Sequence, residues 1–145
     1  MNRVLLLVAL GGLICLGGDL GCIDEITLPR YDSHVSRIPG LKISITVHIG
    51  PKGRAKSIKC EYPNQTIPKE TKSYLLDAMK QYLVDETRYS PSCQGRTVSL
   101  VISYSEEGPP SDDPNYFVRF HPPDHFLLVS RPAKPNVYHG PAHSQ

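Results

Sequence analysis

The residues best suited to chemistry in this 145-residue chain are its histidines, cysteines and carboxylates, and their neighbours decide what each can do. His121 and His125 stand four apart, as do His139 and His143. On a helix that interval puts two imidazoles on one face, in reach of one metal ion, but Pro122-Pro123 and Pro141 forbid helices there. A proline turn brings His121, Asp124 and His125 together by another route. Those three are the candidate metal ligands, set against the plainer reading of solvated turn histidines and an expectation of no cofactor. The adjacent carboxylates Glu106-Glu107 and Asp112-Asp113 belong to an acidic, proline-rich loop, where neither pair is desolvated as acid–base chemistry requires. No Gly-x-Ser-x-Gly elbow, His-Glu-x-x-His, phosphate-cradling glycine loop or Cys-x-x-Cys occurs in the sequence. A noncatalytic protein is expected.

The cysteines turn on the N-terminus. Arg3 precedes an apolar run from Val4 to Leu16, and Cys15-Leu16-Gly17 offers small side chains at the positions a signal peptidase reads. The run is short for a membrane span of about 20 residues, so residues 1–21 read as a secretory signal, with an uncleaved anchor as the alternative. Export permits disulfides, and Cys22, Cys60 and Cys93 follow the signal. Lipidation of Cys22 would leave Cys60 and Cys93 as the candidate pair. The preceding Asp19-Leu20-Gly21 departs from a lipoprotein box, with an acid where an aliphatic is expected. Geometry opposes the Cys60–Cys93 bridge: the two flank opposite ends of a predicted helix of roughly 16 residues, about 24 Å long. Cys60 then reads as a buried thiol packing like a small apolar residue.

Most of the packing signal lies between Leu41 and Tyr104. Leu41 to Ile49 alternates without a fault, with Leu41, Ile43, Ile45, Val47 and Ile49 on one face. Gly50-Pro51-Lys52-Gly53 supplies a turn. Ala55 to Tyr62 returns as a second strand, and Glu70 to Glu86 is a helical run whose Leu75, Ala78 or Met79, Tyr82 and Leu83 form one stripe. Thr97 to Tyr104 makes a third strand with Val98, Leu100, Ile102 and Tyr104 inward. The fold class is therefore α+β: an antiparallel three-stranded sheet in strand-strand-helix-strand order, with one helix packed on one face. Tyr116–Phe120 and Phe126–Ser130 add a C-terminal accessory hairpin. The divisions are the signal, a lead-in over 22–37 crossing the surface with one short turn around Ser33 to Ser36, the central domain at 38–105, the acidic loop and hairpin at 106–130, and a Pro-rich tail at 131–145.

The central unit resembles the C-terminal domain of TonB, the periplasmic energy transducer of Gram-negative bacteria. The likeness lies in Ile38-Pro39-Gly40-Leu41 before the first strand, Pro51-Lys52-Gly53-Arg54-Ala55 at the hairpin, Arg88-Tyr89-Ser90-Pro91 at the helix exit and Gly95-Arg96-Thr97-Val98 opening the third strand. Thr87 stands where that exit usually carries tryptophan, and fewer than 25 residues separate the apolar run from the first strand. The long linker of a transducer is missing, so the resemblance implies the fold and not energy transduction. It also implies binding by strand addition, in which an extended peptide pairs with the edge of the third strand. The expected edge residues are Thr97, Val98, Ser99, Val101 and Ser103. A competing reading has Tyr116 to Phe120 occupy that edge and complete the sheet.

Lys plus Arg number 16 and Asp plus Glu 14, which leaves no basic face for nucleic acid. The expected function is a noncatalytic protein- or peptide-binding module, periplasmic or secreted, meeting a membrane only through an N-terminal anchor or lipid. The alternatives are a metal-binding exported protein using its His-rich end, and a secreted inhibitor or effector.

Overall fold

Alternating side chains build the middle of the sheet. In strand β2 (Lys42–Ile49), Ile43, Ile45, Val47 and Ile49 are buried on one face, while Lys42 and His48 are exposed on the other. The structure, a computed structural model, describes residues 19–30, 35, 38–112 and 116–135. The apolar run of the expected signal, most of the turn expected near Ser33, and His139 and His143 lie outside the described residues. Strand β3 (Ala55–Glu61) returns antiparallel to β2, with Val47 opposite Ile58 and Ile45 opposite Cys60. Strand β5 (Thr97–Glu106) flanks β2 on its other side, also antiparallel, with Val47 opposite Val98 and Ile45 opposite Leu100. This is the expected hairpin and third strand, in one layer.

Helix α1 (Lys69–Met79) follows Pro68 and runs on as a π-helical segment, Lys80–Asp85. Leu75, Met79 and Leu83, four residues apart, are its wholly buried stripe and join the core that the apolar face of the sheet supplies. The wider last turn leaves carbonyls for side chains to take. The Thr87 hydroxyl donates to the Tyr82 carbonyl at 2.7 Å, and the Tyr89 hydroxyl to that of Leu83 at 2.5 Å. Thr87 also accepts the Thr27 N–H at 3.0 Å. A small hydroxyl residue here therefore ties the helix end to the N-terminal segment.

Two expectations need correction. The sheet has five strands, not three, and it is mixed rather than antiparallel: beyond β5 come β7 (His125–Ser130) and then β6 (Tyr116–His121), giving the order β3-β2-β5-β7-β6. Strand β7 lies parallel to β5, with Val101 opposite His125 and Tyr104 opposite Leu128. Strand β6 pairs antiparallel with β7 on the outside. The accessory hairpin is thus part of the main sheet. The reason is visible in β7 itself: Phe126-Leu127-Leu128-Val129 is continuously apolar, with Phe126 and Leu128 buried toward the core and Val129 buried on the opposite face.

The lead-in is not a surface crossing. Leu20, Cys22, Ile23, Ile26, Leu28 and Val35 are buried, and the packing begins at a 3-10 turn, Asp19–Cys22. Strand β1 (Ile23–Glu25) pairs with β4 (Arg88–Tyr89) in a separate two-stranded sheet, and the Ser90 N–H bonds the Cys22 carbonyl at 2.8 Å. Arg88 pairs with Glu25 across this ladder.

Gly53 joins the two sheets. Its φ is +70°, and a Cβ placed there would lie 2.1 Å from the Tyr89 carbonyl oxygen. Both the left-handed backbone and the approach to β4 therefore require glycine. Gly53→Ala is expected to destabilise the fold by about 2 kcal/mol or more. Chemical denaturation should show a lower midpoint at unchanged slope.

Candidate functional site

The residues expected to form a docking edge lie on the middle strand of the sheet. Thr97, Val98, Ser99, Val101 and Ser103 all pair with β2. Val101 and Ser103 are also flanked by β7, opposite His125 and Leu127, and the Val101 N–H bonds the Asp124 carbonyl at 2.9 Å. Strand β7 reaches only as far as Val101, so Thr97, Val98 and Ser99 have no strand on that side among the described residues. The 3-10 turn Asp19–Cys22 packs against β5. The edge reading is thus corrected from Val101 onward: there the chain itself flanks the strand, and with His125–Ser130 rather than Tyr116–Phe120.

The outer strands are β3 and β6, and they differ in chemistry. Strand β3 carries Lys56, Lys59 and Glu61, all exposed, with Lys59 and Glu61 paired at 2.7 Å. Charges of this kind blunt a sheet edge. Strand β6 reads Tyr-Phe-Val-Arg-Phe-His and has one formal charge, Arg119, held 3.0 Å from Glu107. Its Tyr116, Val118 and Phe120 lean toward the core, and Phe120 meets Phe126 with ring centroids 4.9 Å apart. On the other face Phe117 is 47% exposed, with the Arg119 guanidinium 4.9 Å from its ring centroid. It is the exposed large apolar side chain of the described residues.

The sheet face away from α1 carries a polar band across β2, β5 and the start of β7. Ser44 and Thr46 of β2, Ser99 and Ser103 of β5, and His125 of β7 share it, since each lies in register opposite or beside the outward positions of its neighbour. His125 Nε2 lies 2.7 Å from the Ser103 hydroxyl, and His48 Nδ1 lies 3.1 Å from that of Thr97. Partial burial, aided by the positive charges of His121 and Lys42, pushes the His125 pKa down, against a weaker pull from Asp124. His121 faces His125 directly across the hairpin. Among the described residues no three of the His, Cys, Asp and Glu side chains gather closely enough to hold a metal. Asp124 therefore does not complete the expected set.

The cysteines pair differently from the expectation. Cys22 and Cys93 form a disulfide with a Cα–Cα distance of 5.8 Å. That sulfur cannot also carry a lipid, so the lipidated Cys22 is corrected together with the Cys60–Cys93 bridge. What sequence spacing could not reveal is that β1 runs beside β4, which delivers Cys22 to Cys93. Cys60 stays a free thiol facing the core layer, and burial pushes its pKa up to about 11, opposed by Lys80. At neutral pH it is a protonated packing group, a poor nucleophile.

The bridge closes a loop of 71 residues, for which chain entropy predicts a stabilisation of about 4 kcal/mol. Cys22→Ser/Cys93→Ser should lower stability by roughly 2–4 kcal/mol in urea titrations, and reductant should do the same to the wild type and nothing to the variant. No helix of the described residues is long and apolar enough to cross a membrane. No protein-family model matches the sequence, and comparison with curated proteins and with solved structures finds no match.

Proposed function

We propose that the protein is a noncatalytic, exported binding module that takes an extended peptide or protein segment by strand addition along the outer side of β6. One observation carries this reading: β6 is an outer strand with no neighbour beyond it among the described residues, and it bears the exposed Phe117. Backbone groups on its free side supply affinity without regard to sequence, and pockets for alternate side chains supply selectivity. The charged β3 edge lacks both an apolar anchor and an unguarded ladder.

The reading keeps the TonB-like mode of binding and moves its location. In the resembled family the third strand takes the peptide. Here β7 fills that place beside Val101 to Glu106, so the open position lies two strands further out. A cross-link between Cys22 and Cys93 favours an oxidising compartment, as expected for a periplasmic or secreted protein.

Along an outer antiparallel strand, N–H groups point alternately inward and outward. Of Phe117→Pro and Val118→Pro, one removes an outward donor and leaves the β6–β7 ladder whole; the other breaks that ladder, and thermal unfolding tells them apart. A random-peptide display screen on the secreted protein should return alternating apolar sequences that slow hydrogen exchange at β6 amides. The well-folded proline variant should bind them at least tenfold more weakly, as expected if about 1.4 kcal/mol or more is lost. Peptides that protect β3 instead, or that bind the variant unchanged, would refute the assignment. Ser103→Pro, inside the ladder, should cost about 3 kcal/mol or more of stability.

A further inference from the structure

The tip of the β6–β7 hairpin presents two imidazoles to the same space. His121 and His125 are the last residues paired before the turn, and their ring centroids are 5.6 Å apart with planes tilted by 38°. They lie on the polar face of the sheet, away from α1. The turn between them, Pro122 to Asp124, is fastened to the middle strand where the Asp124 carbonyl accepts the Val101 N–H at 2.9 Å. The Ser103 hydroxyl, 2.7 Å from His125 Nε2, fixes that ring from the adjacent strand and leaves Nδ1 as its other ligating atom. Metal-binding histidines are typically oriented by a neighbouring group that holds one ring nitrogen while the other is left to ligate.

We infer that this hairpin tip binds one divalent transition-metal ion of the imidazole-preferring class, zinc, nickel or copper, between His121 and His125. Imidazole pairs suit these ions, whereas magnesium and calcium require oxygen ligands. Among the described residues no third His, Cys, Asp or Glu joins the pair. Water fills the remaining positions, which makes the site open and exchangeable rather than a structural centre of four protein ligands. Ser103 is a positioning residue for His125. This inference uses the other end of the argument from strand addition: it needs the hairpin tip and not the outer ladder, and it stands if no peptide binds.

The test uses the full secreted chain in a His139→Ala/His143→Ala background, so that the tail histidines do not contribute. Zinc chloride and nickel chloride are titrated separately by calorimetry, and imidazole nitrogens are followed by NMR. One equivalent of zinc should shift the His121 and His125 rings together. His121→Ala and His125→Ala should each weaken binding at least tenfold, and Ser103→Ala roughly tenfold, the lower end for loss of an outer hydrogen bond. His121 is exposed, so His121→Ala should unfold as its parent does and keeps the test decisive even where His125→Ala misfolds. Zinc binding as tight in His121→Ala as in the parent overturns the site, as does a shift confined to one ring. Unchanged affinity in Ser103→Ala, with both rings responding, removes the positioning role.

Discussion

The register of β2 between β3 and β5 is the constraint on which the rest depends. Ile43, Ile45 and Val47 are completely buried because they face the same side as Val98, Leu100 and Ile102 of β5. Each such side chain contributes about 1.5–3 kcal/mol on leaving water, so the three on β2 alone outweigh the exposed ion pairs of the surface. A slip of one residue would turn all of them to solvent and bring Lys42 and His48 inside. The helical stripe of Leu75, Met79 and Leu83 can seal only the correctly registered face. The other described segments are attached to this seam.

Two attachments complete it from opposite ends of the chain. The C-terminal hairpin adds β7 along β5 and leaves β6 outermost, so the sheet supplies its own occupant for the middle strand and transfers the unfinished edge to a more aromatic one. The N-terminal segment comes in beside β4, held by the buried side chains of Ile23, Ile26 and Leu28, by the Thr27–Thr87 hydrogen bond and by the Cys22–Cys93 bridge. The π-helical end of α1 belongs to the same join, since its free carbonyls are where Thr87 and Tyr89 are anchored. A π-turn there widens the helix at the point where three segments meet.

The proposed strand addition at β6 and the proposed ion site at the hairpin tip would draw on separate parts of one element. The first uses the backbone ladder and the exposed Phe117; the second uses two side chains on the polar face and the hydroxyl of Ser103. Both arise because the hairpin is docked to β5 by parallel pairing. The same docking that flanks the middle strand from Val101 onward brings His125 to Ser103 and leaves β6 with no neighbour on its outer side among the described residues.

Periodicity in the sequence determined the elements themselves: β2, β3, β5, the hairpin strands and the helix lie within a residue or two of where alternation and the apolar stripe put them. Those patterns are local, set by how side chains alternate on a strand or recur on a helix, so they can be read without knowing neighbours. Which strands lie side by side is not local. The continuous apolar run of β7 signals an interior strand but not that its partner is β5, and Tyr116 to Phe120 was the equally available candidate for that place. The same holds for the cysteines, where three thiols and their spacing do not specify a pair; the β1–β4 ladder does. The folded arrangement alone decided that the third strand is flanked from Val101 onward, that Cys22 is cross-linked and that Asp124 does not join the two histidines in a metal-holding group, because each depends on contacts between segments that only packing brings together.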